Sequence, residues 1–275
     1  MKYKMIVTDY DGTLLGKKGV NPRVINAIAR YREAGGIVAV NTGRTAPSII
    51  RDTKDKGLFD VIGEYIGSYN GGLVTDKRCR WIDKHTLSTA KSLKMIEILE
   101  NIPDVFVQIY ANDFFYCTER KRTPATDIYV KACKCLPIIV PSLSRVVEEN
   151  NWELFKIVAF TYPNPSYPLC DEMNAKYGDE YKFSTSGPAF IEVNDTSAGK
   201  GVGVEMLARA YGVDISETVA IGDGGNDVPM LKRAGLGVSV VNARDEVKSE
   251  ADLVVCSADD GAVAELIDLI MEDKI

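Results

Sequence analysis

Short apolar runs alternate with helical stretches in the N-terminal part of the chain. The run KMIVTD is rich in β-branched residues and is typical of a buried parallel strand. Asn21-Pro22 then predicts a helix start, and Gly35-Gly36 predicts its end. The apolar runs predict strands at 4–9, 37–41 and 64–70. This alternation of strand and helix indicates a parallel sheet with helical crossovers.

The pattern changes near residue 83. A helical stretch at 86–101 leads into a segment at 105–117 that predicts a hairpin turning at 112–113. A second hairpin signal, YKFSTSGPAFIEVN, predicts a turn at 186–188. Paired antiparallel strands with helical pieces between them indicate a separate α+β domain.

The first pattern returns after Asn194. A helical stretch at 200–211 has apolar residues on one face and ends at Gly212. Three further apolar runs predict strands at 218–223, 236–241 and 252–256. We therefore predict an α/β fold, with a Rossmann-like parallel-sheet core interrupted by an inserted α+β cap domain. The predicted core is residues 1–82 and 189–275, and the predicted cap is residues 83–188.

Composition limits the class of protein. The chain has 275 residues, 45% of them hydrophobic, which suits one large domain or two ordinary ones. Its formal net charge of −6 argues against a general nucleic-acid binder, although a locally positive pocket can still hold a small anion. The first residues lack the apolar stretch of a signal peptide, and no window reaches the ~18 apolar residues of a membrane span. We expect a cytoplasmic protein that binds neither nucleic acid nor a membrane.

Histidine and cysteine limit the chemistry that the chain can perform. His85 is the only histidine, which excludes multi-histidine metal centres. The six cysteines are scattered, and the one close pair, Cys133 and Cys135, matches no common zinc or redox motif. Acid–base chemistry therefore falls to carboxylates or lysine.

Four polar stretches lie at or beside predicted strand ends, where open parallel sheets bind their ligands. They are DYDGT (9–13), NTGR (41–44), SAGKG (197–201) and GDGGND (222–227). Converging carboxylates need a hard cation, and Mg²⁺ prefers one or two carboxylates together with phosphate oxygens. A magnesium ion, helped by Lys200, would offset the charge of these carboxylates.

Asp9 and Asp11 are two positions apart, so in an extended segment their side chains face the same way. One carboxylate can attack phosphorus and form an aspartyl-phosphate. The other can protonate the departing oxygen and later take a proton from water. Phosphoryl transfer otherwise needs positioning and charge neutralisation, which Mg²⁺, Lys200 and Thr42 would supply.

Other phosphate and metal motifs do not fit these stretches. AGKG lacks the Ser/Thr of a Walker loop, and GDGGND lacks the third glycine of a dinucleotide fingerprint. DYDGTL has Thr13 and Leu14 where a calcium loop needs Asp or Asn and then Gly. No cysteine is followed six positions later by arginine, which excludes the cysteine-phosphatase loop.

Taken together, the motifs resemble those of the haloacid dehalogenase-like (HAD) superfamily, specifically its Cof-type, or IIB, phosphatases. The motifs that match in order are Asp9-Tyr-Asp11-Gly-Thr13, Thr42-Gly43-Arg44, Lys200-Gly201 and Gly222-Asp223-Gly-Gly-Asn226-Asp227. SYNGG (68–72) resembles the family's substrate loop, and VNA (241–243) resembles a C-terminal landmark. The match covers both halves of the core, whereas the cap matches only in length and α+β character. Asn41, where alanine is common, is a small departure.

The resemblance implies a role for each motif residue. Asp9 would be the nucleophile and Asp11 the general acid/base, which points to a phosphatase or phosphomutase rather than a dehalogenase. Mg²⁺ would bind the Asp9 carboxylate, the Asp11 backbone carbonyl and Asp223, with Asp227 in support. The residues implied to bind phosphate or substrate are Thr42, Gly43, Arg44, Asn70, Lys200 and Asn226.

The resulting prediction is a Mg²⁺-dependent phosphatase, a monomer or homodimer, whose partner is a small phosphorylated metabolite such as a sugar phosphate or phosphorylated cofactor. A phosphomutase with the same first half-reaction is the main alternative. A non-catalytic sugar-phosphate sensor is a second alternative, although a sensor needs no general acid. Arg44 and Asn70 fit substrate contact and structural capping equally well. The basic run ERKRT (119–123) fits a solvated turn better than a substrate contact.

Overall fold

The structure is a computed structural model of the 275-residue chain. It describes residues 1–118, 130, 136–161, 164–185 and 188–275. The basic run 119–123 and the cysteine pair 133 and 135 lie outside the described residues, as do residues 186–187 of the second predicted turn.

The described residues form fourteen strands, numbered in chain order. They are β1 Met5–Thr8, β2 Ile37–Asn41, β3 Tyr65–Ser68, β4 Leu73–Asp76, β5 Trp81–Lys84, β6 Phe106–Ala111, β7 Phe114–Thr118, β8 Ile138–Val140, β9 Lys156–Phe160, β10 Tyr181–Thr185, β11 Phe190–Asp195, β12 Thr218–Gly222, β13 Leu236–Val240 and β14 Leu253–Val255.

The same residues form nine α-helices and three short 3₁₀-helices. The α-helices are α1 Pro22–Glu33, α2 Ala46–Asp55, α3 Thr89–Glu100, α4 Leu143–Asn150, α5 Ser166–Tyr177, α6 Lys200–Tyr211, α7 Val228–Arg233, α8 Asp245–Lys248 and α9 Ala262–Met271. The 3₁₀-helices are Ile215–Glu217, Gly225–Asp227 and Ala258–Asp260.

The chain divides into two compact units, the first of which comprises Met1–Lys84 and Gly199–Ile275. Its strands form one sheet in the order β14-β13-β12-β1-β2-β3-β4-β5. Neighbours from β14 to β3 are parallel, whereas β4 and β5 extend the sheet antiparallel. The predicted α/β fold class with a parallel-sheet core is therefore confirmed.

Local sequence explains the central elements of this sheet. Every residue of β1 and β12 is buried, as expected for parallel strands covered by helices on both faces. α1 begins where predicted, because the Asn21 side chain accepts a hydrogen bond from the Arg23 N–H and Pro22 takes the first helical position. Its apolar face packs into the core through Val24, Ala27, Ile28 and Tyr31.

The second unit, His85–Ala198, has a six-stranded sheet in the order β10-β11-β9-β6-β7-β8. Its neighbouring strands are antiparallel except β7 and β8. The predicted hairpin at 105–117 is confirmed, with a two-residue turn in which Asn112 and Asp113 both have positive φ. The three helices α3, α4 and α5 contribute buried residues to this unit's own hydrophobic core.

The structure differs from the predicted end of the inserted domain. The prediction began the second core segment at residue 189, but the second unit continues to Ala198. β11 pairs with β10 and β9, so it belongs to the six-stranded sheet. The predicted boundary was too early because it separated the two strands of one hairpin, which share their backbone hydrogen bonds.

Two parts of the first unit are missing from the prediction. The helix α2 follows the second strand directly, with the Thr45 side chain as its N-cap. The strands β4 and β5 are four residues each and add an antiparallel edge to the sheet. Strands this short show little alternation of apolar and polar residues, so pairing rather than pattern defines them.

No helix in the described part of the chain combines the length and apolar character needed to cross a bilayer. The cysteines within it are free thiols, namely Cys79, Cys117, Cys170 and Cys256.

Candidate active site

Four predicted motifs lie at the carboxyl ends of four neighbouring strands of the first unit. The strands are β12, β1, β2 and β3, and the loops that follow them contain 222–227, 9–13, 41–44 and 68–72, respectively. Lys200 is the first residue of α6, which packs against β2, β3 and β4. Because the four strands are parallel, their loops share one edge of the sheet, where such sheets bind ligands.

Lys200 joins two of the predicted carboxylates. Its Nζ donates hydrogen bonds to Oδ1 of Asp9, at 2.5 Å, and to Oδ1 of Asp227. All three side chains are buried. Burial opposes the positive charge of Lys200, but the two carboxylates outweigh it and raise the pKa of the ammonium above its usual value. The ammonium therefore remains charged and fixes both carboxylates.

Asp9 lies in a negative environment that one ammonium does not neutralise. Burial is the largest cause of its raised pKa, and the Lys200 ammonium opposes this effect. The charges of Asp227 and Asp223 raise the pKa of Asp9 further. The backbone N–H of Asp9 donates to the Ile221 carbonyl at 2.9 Å, which fixes the residue beside β12.

Asp227 turns the loop that follows β12. Its Oδ2 accepts hydrogen bonds from the backbone N–H groups of Asp223, at 3.0 Å, and Gly224, at 2.8 Å. Its Oδ1 faces Lys200. One carboxylate thus accepts hydrogen bonds from the backbone N–H groups that precede the 3₁₀-helix and also anchors the lysine. This supports a positioning role for Asp227.

Asp223 is held against the first loop. Its Oδ1 accepts a hydrogen bond from Thr13 Oγ1 at 2.9 Å, so Thr13 links the first loop to the loop after β12. Burial, followed by the charge of Asp227, raises the pKa of Asp223 to about 6. Gly12 permits this approach, because a Cβ at Gly12 would lie 2.4 Å from Asp223 Oδ2.

The acidic cluster fits a hard divalent cation. Asp9, Asp223 and Asp227 each offer a carboxylate oxygen, and these oxygens lie within 4.8 Å of one another. Three carboxylates share the single ammonium of Lys200, so two negative charges remain when all are ionised. Oxygen donors of this kind suit Mg²⁺, and the predicted metal-binding carboxylates do converge.

Asp11 is separate from this cluster and is paired with Arg44. Arg44 donates to Asp11 through Nε, at 2.7 Å to Oδ2, and through Nη2, at 2.5 Å to Oδ1. Such a bidentate pair fixes the plane of a carboxylate. Arg44 also approaches Asp52, with Nη1 3.3 Å from Oδ2. The structure thus directs this arginine toward two carboxylates.

The remaining predicted residues link the loops to one another. The backbone N–H of Asn70 donates to the Thr42 carbonyl at 3.0 Å, and that of Tyr69 donates to the Arg44 carbonyl at 3.1 Å. The Asn226 side chain donates to Asn70 Oδ1 at 3.2 Å. A Cβ at Gly43 would lie 2.9 Å from the same oxygen. The structure therefore brings the predicted phosphate- and substrate-binding residues to one edge of the sheet: Thr42, Gly43, Arg44, Asn70, Lys200 and Asn226.

Three residues outside the predicted set support the site. Asn242 Nδ2 donates to the Gly12 carbonyl at 2.8 Å and thereby fixes the first loop. Asp52 and Tyr10 contact Arg44 from α2 and from the first loop. Asn242 lies in the VNA stretch (241–243), which resembles a C-terminal landmark of the family, whereas Asp52 carries no sequence signal of its own.

Comparison with known proteins identifies the family. The chain matches the model of the haloacid dehalogenase-like hydrolases over residues 6–267. It belongs to the haloacid dehalogenase-like hydrolases. This hydrolase is 28% identical over 292 residues to the 5-amino-6-(5-phospho-D-ribitylamino)uracil phosphatase YwtE of Bacillus subtilis, with 98% of this chain and 99% of that protein covered.

Solved structures share the fold of this hydrolase. BT1666 from Bacteroides thetaiotaomicron, described as one of the phosphatases of the HAD superfamily, is 25% identical with a TM-score of 0.81, covering 99% of this chain and 96% of that one. The HAD subclass IIB sugar phosphatase BT4131 is 22% identical with a TM-score of 0.82, covering 98% and 99% of the two chains. The predicted family, fold class and phosphatase-type hydrolase are confirmed, and the roles of individual residues stay predictions.

Gly12→Ala is expected to displace Asp223 and weaken Mg²⁺ binding about 10- to 100-fold, as loss of a supporting contact does in other metal sites. Isothermal titration calorimetry measures the change. Gly19→Ala is the matched control, because Gly19 also has a positive φ, +105°, but an added Cβ would meet nothing within 4 Å. Equal Mg²⁺ affinity in the two variants would contradict the close approach of Gly12 and Asp223.

Asp223→Asn is expected to stabilise the metal-free protein at pH 7.5 and to lose this advantage progressively as the pH falls from about 6 to about 4. The folded-state pKa of Asp223, about 6, lies above its unfolded value, so the folded protein binds the proton more tightly. Ionisation above pH 6 therefore costs wild-type stability, and protonation removes the cost as the pH falls. Urea unfolding with EDTA measures the difference, with the exposed Asp179→Asn as control. A stability gap that widens toward low pH would contradict the raised pKa.

Proposed function

We propose that this hydrolase is a Mg²⁺-dependent phosphatase that acts on a small phosphorylated metabolite through an aspartyl-phosphate on Asp9. The observation that carries the proposal is the buried Lys200 bridge between Asp9 and Asp227, with Asp223 beside it. A carboxylate held by a cation at a strand end, next to a site for a divalent metal, is suited to attack on phosphorus.

In the first half-reaction an Asp9 carboxylate oxygen attacks the phosphorus of the substrate. The bond from phosphorus to the ester oxygen breaks as the new bond to Asp9 forms. Asp11, as the acid, gives its proton to the leaving oxygen, so the alcohol departs neutral. Lys200 stays within hydrogen-bond distance of Asp9 and offsets negative charge near the transferred group.

In the second half-reaction water attacks the phosphorus of the aspartyl-phosphate. Asp11, now a carboxylate, takes a proton from that water, and the bond between phosphorus and Asp9 breaks. The products are inorganic phosphate and the original Asp9 carboxylate, with Asp11 protonated again. Thr42 and Asn70, on the two adjoining loops, are suited to hold the phosphoryl oxygens.

The metal-binding residues in this proposal are Asp9, Asp223 and the backbone carbonyl of Asp11, with Asp227 in support. When bound, Mg²⁺ supplies charge neutralisation for the phosphoryl oxygens. The remaining double negative charge of the acidic cluster supports a divalent rather than a monovalent ion.

The second unit is proposed to act as the cap domain that selects the substrate. The substrate class is proposed from two similar proteins, whose names give a phosphorylated ribitylaminouracil and a sugar phosphate as substrates. Both are phosphomonoesters of a sugar-like alcohol. A sugar phosphate or phosphorylated cofactor is therefore the expected substrate of this chain.

Phosphate release from glucose 6-phosphate, flavin mononucleotide and pyridoxal 5′-phosphate tests the proposal, with Mg²⁺ and with EDTA. Wild-type protein is expected to release phosphate only with Mg²⁺, and Asp9→Asn is expected to abolish release because the amide cannot act as nucleophile. Acid quenching followed by mass spectrometry should detect a phosphorylated Asp9 in the wild type. Asp83→Asn, an exposed aspartate paired with Arg209, is the control and should keep turnover.

Three outcomes would overturn parts of this proposal. Turnover by Asp9→Asn above a few per cent of wild type would exclude Asp9 as the nucleophile. An isomerised sugar phosphate without phosphate release would replace the phosphatase with a phosphomutase. Binding of a sugar phosphate without any turnover would identify a sensor.

A further inference from the structure

We propose, on the basis of the proposed function, that Asp52 and Tyr10 are positioning residues that hold the acid Asp11 in place through Arg44. Asp52 lies outside every motif of the site, and Tyr10 lies within the first motif but has no predicted role there. Together with Arg44 they form a brace, defined here as Tyr10, Arg44 and Asp52, that runs from the buried face of α2 to the exposed carboxylate of Asp11.

Asp11 needs an anchor because its side chain is 51% exposed. An exposed aspartate samples several rotamers, and an acid catalyst works only when it is held in the reactive geometry. Arg44 donates one hydrogen bond to each oxygen of this carboxylate, at 2.7 Å and 2.5 Å, and so occupies one lone pair on each oxygen. Each oxygen has a second acceptor site, so the pair fixes the carboxylate and still allows it to exchange a proton.

Arg44 is itself anchored by a second carboxylate, that of Asp52. Its side chain is 16% exposed and that of Asp52 is 11% exposed, so the pair between them is largely shielded from water. Lys56, the C-cap residue of α2, lies with its Nζ 3.9 Å from the other oxygen of Asp52 and helps to offset the buried charge. An arginine that binds one carboxylate through two hydrogen bonds and a second, shielded carboxylate is held far more firmly than an arginine in an ordinary surface ion pair.

Tyr10 completes the brace by contacting both Asp52 and Arg44. Its side chain is fully buried, and its hydroxyl donates to Asp52 Oδ2 at 2.7 Å. The Arg44 guanidinium lies over the Tyr10 ring, 5.0 Å from the centroid, where a cation is attracted by the ring face. The residue between the two predicted catalytic carboxylates thus anchors the arginine that holds the second of them.

The test compares two substrates that differ in their need for an acid. Asp52→Asn keeps the shape of the side chain but removes its charge. For glucose 6-phosphate, whose leaving alcohol needs a proton, kcat/KM is expected to fall about 10- to 100-fold, part of the ~10²–10⁴-fold that a general acid contributes. For p-nitrophenyl phosphate, whose leaving group departs without a proton, the loss is expected to stay below about threefold.

Two further variants separate positioning from general damage. Tyr10→Phe removes only the hydroxyl. We expect it to lower kcat/KM for glucose 6-phosphate more than kcat/KM for p-nitrophenyl phosphate, as Asp52→Asn does, but by a smaller factor. Asp55→Asn removes an exposed carboxylate from the same helix and should leave both values unchanged. Thermal unfolding of each variant establishes that it is folded at the assay temperature.

A measurement that needs no turnover tests the brace directly. The Arg44 Nε–H group donates to Asp11, so its proton is expected to exchange slowly with solvent while the pair is held. Its exchange rate by NMR should rise severalfold in Asp52→Asn and Tyr10→Phe, but not in Asp55→Asn.

Each outcome bears on one claim. Equal loss on both substrates, no loss on either, or unchanged Arg44 exchange in Asp52→Asn would overturn the positioning role while the phosphatase activity stands. Failure of the wild-type protein with Mg²⁺ to hydrolyse p-nitrophenyl phosphate, glucose 6-phosphate, flavin mononucleotide and pyridoxal 5′-phosphate would overturn the proposed function, and with it the acid role of Asp11.

Discussion

The buried ammonium of Lys200 is the group on which the site depends. It enters from α6 and bridges Asp9, on the loop after β1, to Asp227, on the loop after β12. Loss of this cation would leave two buried carboxylates unpaired, which typically costs about 3–5 kcal/mol, far more than loss of a surface pair. The same cation neutralises only part of the cluster, and the remaining negative charge makes the site suitable for a divalent metal.

Short polar contacts between neighbouring loops hold the rest of the site around this ammonium. Thr13 binds Asp223 across 210 residues of sequence, and Asn242 binds the Gly12 carbonyl across 230. Asn226 binds Asn70 in the same way. The parallel sheet makes such contacts possible, because its parallel strands all end at the same edge whatever their distance along the chain.

Sequence patterns predicted the elements that are long and regular. α1 and α6 begin and end close to their predicted bounds, because each combines an apolar face with a recognisable start or a glycine end. The short strands β4 and β5 were missed, since four-residue strands show little pattern and are defined by their pairing. The helix α2 was also missed, although the sequence offers a Thr45 N-cap and a proline in its first turn. The end of the inserted unit was misplaced because the predicted boundary at residue 189 divided a hairpin whose two strands, β10 and β11, pair with each other.

The sequence by itself determined which groups are available for chemistry: two aspartates at the end of the first strand, one lysine at a helix start and an acidic glycine-rich loop after β12. Their order along the chain also identified the family. Only the tertiary structure decided what holds Asp11. Arg44 reaches it across 33 residues, and Tyr10 reaches Asp52 across 42. Contacts over such separations follow the path of the whole chain and leave no local periodicity in the sequence.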